Sequence, residues 1–302
     1  MLEILGKTNI DFMGKRNLAF AFSGVLVLLG VVAIVQIGRG AANLGIDFAG
    51  GTAVQLKFAQ PVRTDEARAA LDRNNLTGAE IQEFVSESKL LVRIKTKTTI
   101  EEKVADRVVA AFAKEFPNNK LEVEASTEIG PTIGHKLQED ALIAILISFA
   151  GIILYIAARF EFRFGVAAAL STFHDVLAVL GVFYVLDKEV TLLVVTALLT
   201  LAGYSLTDTV VVFDRIRENL RVRRRDNLET IINNGINQVL SRTIVTSLTV
   251  VLVLIPLTLA GGEVLHDFSL ALLLGVIVGT YSSIFVASPI LVIWPGGAGK
   301  LL

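Results

Sequence analysis

Six stretches of the chain stay apolar for about 20 residues at a time, at 18–37, 138–157, 164–185, 190–213, 243–260 and 268–293. A helix of that length spans about 30 Å, the thickness of a bilayer's hydrocarbon core. The first run follows Lys15 and Arg16 as a signal peptide would, but it is longer than a signal core and five more follow, so it reads as a span. Between the first two runs the periodicity changes. TAVQLKF (52–58), AEIQEFV (79–85), KLLVRIK (89–95) and KLEVEASTEIG (120–130) read as strands. TDEARAALDRNN (64–75) and TIEEKVADRVVAAFAKEF (99–116) read as helices, with Thr64 and Thr99 as caps ahead of acidic first turns. The order β-α-β-β-α-β is the ferredoxin-like pattern. The expected architecture is an α-helical polytopic membrane protein with six transmembrane helices and one α+β ferredoxin-like domain outside the cytoplasm. Its parts are 1–37 (N-terminus and first helix), 38–137 (the ferredoxin-like domain) and 138–302 (five further helices, with a basic loop at 214–242).

Composition agrees. Of 302 residues 53% are hydrophobic, and the mean hydropathy is +0.64, above the usual soluble range. The net charge of −1 excludes the strongly basic surface that a nucleic-acid partner requires. With no cysteine there are no disulfides or thiolate metal sites. Arg159 and Arg163 lie between the second and third spans. Arg215, Arg217, Arg221, Arg223, Arg224 and Arg225 crowd between the fourth and fifth. The opposite connections, LDKEV (186–190) and AGGEVLHD (260–267), hold one Lys and no Arg. The positive-inside rule then places both termini in the cytoplasm and residues 38–137 outside it.

Ionisable residues within spans are the candidate chemistry, because a charge in mid-bilayer costs about 2.5–3.5 kcal/mol on insertion scales and is usually paired and tied to an ion path. Asp208 lies inside the fourth span, too deep for a short side chain to reach the interface. Arg215 falls on its face seven residues on, while Asp214 points away, and both read as helix-end anchors. Arg242 opens the fifth span, with Thr246 and Thr249 continuing a polar stripe; a functional and a snorkelling arginine both fit the position. His174 and Asp175 sit mid-span in the third run, and proton relay and structural pairing both fit them. Ala168, Ser171, Asp175 and Ala178 share one small, polar face there. Gly275, Gly279 and Ser283 in the sixth span, and Thr196, Thr200, Gly203 and Thr207 in the fourth, are small-residue seams where helices should meet. No catalytic constellation, metal cluster or phosphate loop appears, so an enzyme is not expected, nor a cofactor. A carboxylate facing an arginine across a helix seam suits proton-coupled motion, since each proton crossing the membrane releases about 2.3 kcal/mol per 100 mV.

These residues resemble the SecF family, smaller subunits of bacterial SecDF protein-export complexes in the RND superfamily. The resemblance rests on IDFMGKR (10–16), LGIDFAGGT (44–52), HDV (174–176), DTVVVFDRIREN (208–219) and SRTIVTS (241–247), in the family's order and over nearly the whole chain. Thr207 departs from it, where the pattern expects Asn. The likeness implies pairing with SecD and work with the SecYEG channel on preproteins in transit, in the bacterial inner membrane, driven by proton-motive force. It implies that Asp208 and Arg242 are the proton-path residues, with His174, Asp175, Thr246 and Asp214 as possible support. Gly45, Asp47, Gly50 and Gly51 would form a structural junction. A self-sufficient RND-type exporter and a non-conducting scaffold are the rival readings, and sodium remains an alternative coupling ion.

Overall fold

A computed structural model of the chain describes residues 6, 8–84, 88–95, 104–223 and 226–294. In chain order these form α1 (Arg16–Gly38), the short α2 (Ile46–Ala49), β1 (Gly51–Phe58), α3 (Thr64–Arg73), β2 (Glu80–Phe84), β3 (Lys89–Lys95), α4 (Val104–Glu115) and β4 (Leu121–Ile129). Then come α5 (Pro131–Arg159), α6 (Phe162–Val185), α7 (Leu192–Val222), α8 (Leu228–Ala260), α9 (Gly262–Ser282), a π turn (Ser283–Ala287) and α10 (Ser288–Ile293). Two compact units result, residues 44–143 and the remainder.

In the smaller unit the sheet order is β2-β3-β1-β4 and every pair is antiparallel, the ferredoxin-like arrangement. Alternation along β1 turns Val54, Leu56 and Phe58 inward and leaves Lys57 exposed. Helical spacing brings Ala67, Ala70 and Leu71 of α3, and Val104, Val108, Ala111 and Phe112 of α4, onto the same core. Phe58 and Phe112 meet edge to face at 5.6 Å. Thr64 does not cap α3. It is the first helical residue, and Glu83 of β2 accepts both its N–H (3.2 Å) and its hydroxyl (3.0 Å), placing a carboxylate at the helix's positive end. The expected Thr99 cap and the turn at 85–87 lie outside the described residues. Between α2 and β1 the chain turns through Gly50 (φ 74°) and Gly51 (φ 149°), where a Cβ on Gly51 would sit 2.4 Å from the Ile94 carbonyl oxygen.

The larger unit contains most of the membrane-spanning length: among the described residues six helices are long and apolar enough to cross a bilayer. α6 is its axis, packed against α1, α7 and α9. Backbones approach closely where side chains vanish: a Cβ on Gly30 of α1 would lie 2.3 Å from Leu177 O, and one on Gly181 of α6 would lie 2.6 Å from Gly30 N. Gly275 and Gly279 likewise admit Leu201 and Ser205 of α7 to α9. An aromatic knot of Phe160, Phe164 and Phe213 joins the α5–α6 turn to α7, with ring separations of 5.2–6.5 Å. By contrast, Leu146, Ile147, Ile153 and Leu154 of α5 are exposed.

The basic segment 214–242 is not a loop. α7 runs on to Val222 and α8 starts at Leu228, so the turn is confined to 223–227, where Arg224 and Arg225 lie outside the described residues. Pairing explains the extra turns. Arg215 donates to Gln238 Oε1 (2.7 Å) and Asn219 to the same oxygen (2.9 Å), tying the two helical extensions together. The IDFMGKR segment is strapped across α8 by two asparagines one turn apart. Asn233 Oδ1 accepts from Phe12 N (2.9 Å) and Met13 N (3.1 Å), and Asn237 both accepts from Ile10 N and donates to Ile10 O (2.9 Å each). Asp11 accepts from Gly14 N–H and Asn233, which holds its carboxyl below the usual range.

Because α1 and α6 touch backbone to backbone, Gly30→Leu should force them apart and cost about 1–3 kcal/mol. Thermal unfolding of the purified chain in detergent measures this; an unchanged transition would mean the contact is not a determinant of the fold.

Candidate intramembrane charge site

α7 is capped by Thr191, whose side chain accepts Val194 N–H (3.3 Å), and carries Asp208 nearly five turns further in. The Asp208 side chain is buried, at 7% exposure, and its Oδ2 has no hydrogen-bond partner. One turn earlier on the same face stands Tyr204, whose buried hydroxyl also lacks a partner. Ser247 of α8 lies near both but is engaged with Thr280 of α9 at 2.6 Å. Tyr204 and Ser247 were not singled out from sequence. The i−4 spacing from Asp208 could have pointed to the tyrosine, whereas Ser247 needed the helix pairing.

Arg242 acts on Asp208 through its charge but makes no ion pair or hydrogen bond with it. Nor does it open its helix: it lies within α8, one turn after Gln238, and is exposed. An open crevice lined by Val211, Asp214, Arg215, Glu218, Gln238, Val239 and Arg242 runs between α7 and α8 on that side. Thr246 is exposed, its hydroxyl donating to the carbonyls of Arg242 (3.1 Å) and Thr243 (2.9 Å). Arg215 shares Asp208's helical face but is spent on Gln238 and Glu218. Asp214 binds Arg159 at 2.8 Å, and the guanidinium carbons of Arg159 and Arg217 lie 5.1 and 5.6 Å from the Phe160 ring centre. That cluster is an interfacial anchor.

His174 and Asp175 form a second buried group. Asp175 is fully buried; its Oδ1 is 2.8 Å from His174 Nδ1, and its Oδ2 accepts hydroxyl hydrogen bonds from Ser205 of α7 and Ser282 of α9 (2.8 Å for Ser282). Beside it, Thr209 and Ser283 meet at 3.1 Å, and Ser288 donates to Ser283 O across the π turn (2.8 Å). The serines are on helices distant in sequence and carried no local signal. Gly45, Asp47, Gly50 and Gly51 belong to the other unit, at and around α2. No group of three or more metal-ligating side chains occurs among the described residues.

The seam expected from Thr196, Thr200, Gly203 and Thr207 is left uncovered: all four are exposed, and a Cβ on Gly203 would meet nothing within 4 Å. Each threonine hydroxyl turns back to a carbonyl one turn earlier. Thr246 and Thr249 of α8 are exposed as well.

Residues 108–296 match the family model for the C-terminal part of SecD/SecF protein export membrane proteins, and residues 42–62 match the SecD/SecF GG motif. The protein translocase subunit SecF of Thermodesulfovibrio yellowstonii is 53% identical, over 97% of each chain. That of Calditerrivibrio nitroreducens is 42% identical, over 95% of each. The crystal structure of SecDF, a translocon-associated membrane protein from Thermus thermophilus, superposes with a TM-score of 0.81 at 36% identity, covering 95% of this chain and 39% of that one. A super-membrane-facing form of SecDF gives 0.69 at 38% identity, covering 96% and 39%. This chain therefore spans about two-fifths of the SecDF chains and nearly the whole of its SecF relatives. It belongs to the SecF family of protein translocase subunits.

Proposed function

We propose that this chain is the SecF half of a SecDF-type assembly that serves Sec protein export, coupling proton-motive force to preprotein release on the outer face of the membrane. The observation that carries the coupling is Asp208: a carboxylate buried in a span, one oxygen without a partner, with an arginine on the next helix near enough to act by charge but not to bond. Such a group can be held charged or neutral, and each state asks for a different packing of α7 against α8. Arg242, at the open crevice, connects the pair to water, while Asp214 anchors the crevice rim and Thr246 continues the stripe into the membrane. His174 and Asp175 of α6 meet α7 on the adjacent face, at Ser205. In this reading both termini and the basic α7–α8 turn are cytoplasmic, residues 38–137 lie outside, and the residues around Gly45, Asp47, Gly50 and Gly51 form the junction between span and external domain. The SecYEG channel and preproteins in transit are the further partners.

The uncovered stripe on α7 and α8 is where SecD would sit. Small residues permit backbone approach in a membrane, and no helix among the described residues takes the place.

Two measurements test this. In cells whose only copy carries Asp208→Asn, release of a newly exported protein should slow although the variant reaches normal membrane levels; release at the normal rate would remove the proton role and leave Asp208 as a packing residue. Sodium dependence of the wild-type rate at a fixed proton gradient would transfer the role to Na⁺. Separately, Gly203→Leu should be tolerated by the chain itself, since its side chain points into open space, yet should reduce recovery of SecD with it severalfold. Undiminished recovery would place SecD elsewhere.

A further inference from the structure

The buried group around Asp175 has no cation from lysine or arginine beside it. Its carboxyl group meets three partners, His174 Nδ1 of α6, Ser205 of α7 and Ser282 of α9. Two of these are neutral hydroxyls. For His174 to donate through Nδ1 while neutral, its proton must be on Nδ1, which leaves Nε2 a bare lone pair. That Nε2 is buried and has no partner. Among the described residues no lysine or arginine pairs with Asp175, so an ionised Asp175 beside a neutral imidazole would be an uncompensated negative charge in the interior of the membrane-spanning unit, and the pair is stabilised by holding one further proton.

The groups on the surrounding helices do not supply the balance. α1 carries no ionisable side chain between Arg16 at its start and Gly38 at its end, and the π turn and α10 carry none. α9 contributes Tyr281, whose ring is 6.5 Å from that of His174 and whose hydroxyl is committed to Ser23 and Ala19 O. α7 contributes Tyr204 and Asp208 at this depth, and neither bonds to the pair. On α6 itself the remaining charge is Arg163, near the helix start, nearly three turns before His174.

We propose that His174 Nε2 is a proton-binding site distinct from Asp208, with Asp175 as the residue that positions the imidazole and compensates its charge. A proton taken on Nε2 converts the neutral imidazole into an imidazolium; no bond other than N–H forms, and the pair becomes electrically balanced. Ser205 and Ser282 hold Asp175 Oδ2 in place in both states. Because those hydroxyls belong to α7 and α9, and Ser282 immediately precedes the π turn, the charge at Nε2 is felt where three helices meet. The inference rests on the proton-coupled reading above for its place in transport, but not for its chemistry.

The test is nitrogen NMR on the histidine-labelled full chain in lipid nanodiscs, with His135→Gln and His266→Gln making the His174 signals unique. The expected result is a ring that is protonated on Nδ1 alone at high pH and gains a second N–H as the pH is lowered. The same change should persist in Asp208→Asn, whereas Asp175→Asn should abolish it or displace it along the pH axis. A His174 ring in one protonation state throughout overturns the proposal, as does a titration that vanishes with Asp208→Asn, because the site would then not be distinct. Failure of the Asp208 reading is read separately, from release of exported protein.

Discussion

A carboxylate out of reach of water must be answered by the protein, and the answer to Asp175 organises the membrane-spanning unit. Its oxygens take donors from α6, α7 and α9, so those helices cannot drift apart without leaving a charge bare. Close approach is in turn what the glycines supply. Gly279 lets the Ser205 hydroxyl in beside α9, and Gly275 makes room for Leu201 one turn away. Gly30 and Gly181 then bring α1 onto the other side of α6, where Tyr281 reaches over to Ser23. Hydrophobic burial contributes little to helix association in lipid. A polar knot with small residues around it therefore does the locating that a greasy core does in water.

Asp208 receives the opposite treatment. It is nearly as buried as Asp175 and only three residues from Ser205, yet its Oδ2 has no partner and the donors around it are shared with or turned to other tasks: Ser247 also meets Thr280, and Arg215 is held by Gln238 and Glu218. If burial alone had selected for stability, those hydroxyls and guanidinium groups would point at the carboxylate. One satisfied and one unsatisfied carboxylate on adjacent faces of the same bundle is an asymmetry that separates a fixed point from a movable one.

Much of this was legible in the sequence. Six apolar runs and the switch to period two between the first and second suffice for the architecture, because length and alternation are local properties. The residues whose partners come from the same helix could be placed too, as with His174 beside Asp175. What could not be read was pairing between distant segments. Nothing near Ser205 or Ser282 announces a carboxylate, and nothing in the composition of 214–242 distinguishes a basic loop from two helices zipped by Gln238. Thr64 shows the same limit at small scale: threonine before acidic residues is a capping pattern, but a carboxylate from a neighbouring strand took the position first. The contact between Asp208 and Arg242 was read too simply. Their charges fall on neighbouring helices, but the helix continues through Arg242 and carries it toward the exposed side.

The outward faces differ in kind, and the difference bears on what covers them. α5 shows lipid-like leucines and isoleucines to its surroundings, whereas α7 and α8 set threonines, a glycine and an arginine among exposed aliphatic residues such as Leu193, Leu252 and Val253. Hydroxyls alone would not demand a polar neighbour, since every threonine in the stripe satisfies itself on its own helix. Arg242 cannot do so. A guanidinium has five donors in a planar fork, too many for carbonyls already used in a helix ladder, and its own segment offers it no carboxylate bond. A face that combines a missing side chain at Gly203 with self-satisfied threonines, ending at a guanidinium in the open crevice, permits close approach by another helix that brings its own acceptors.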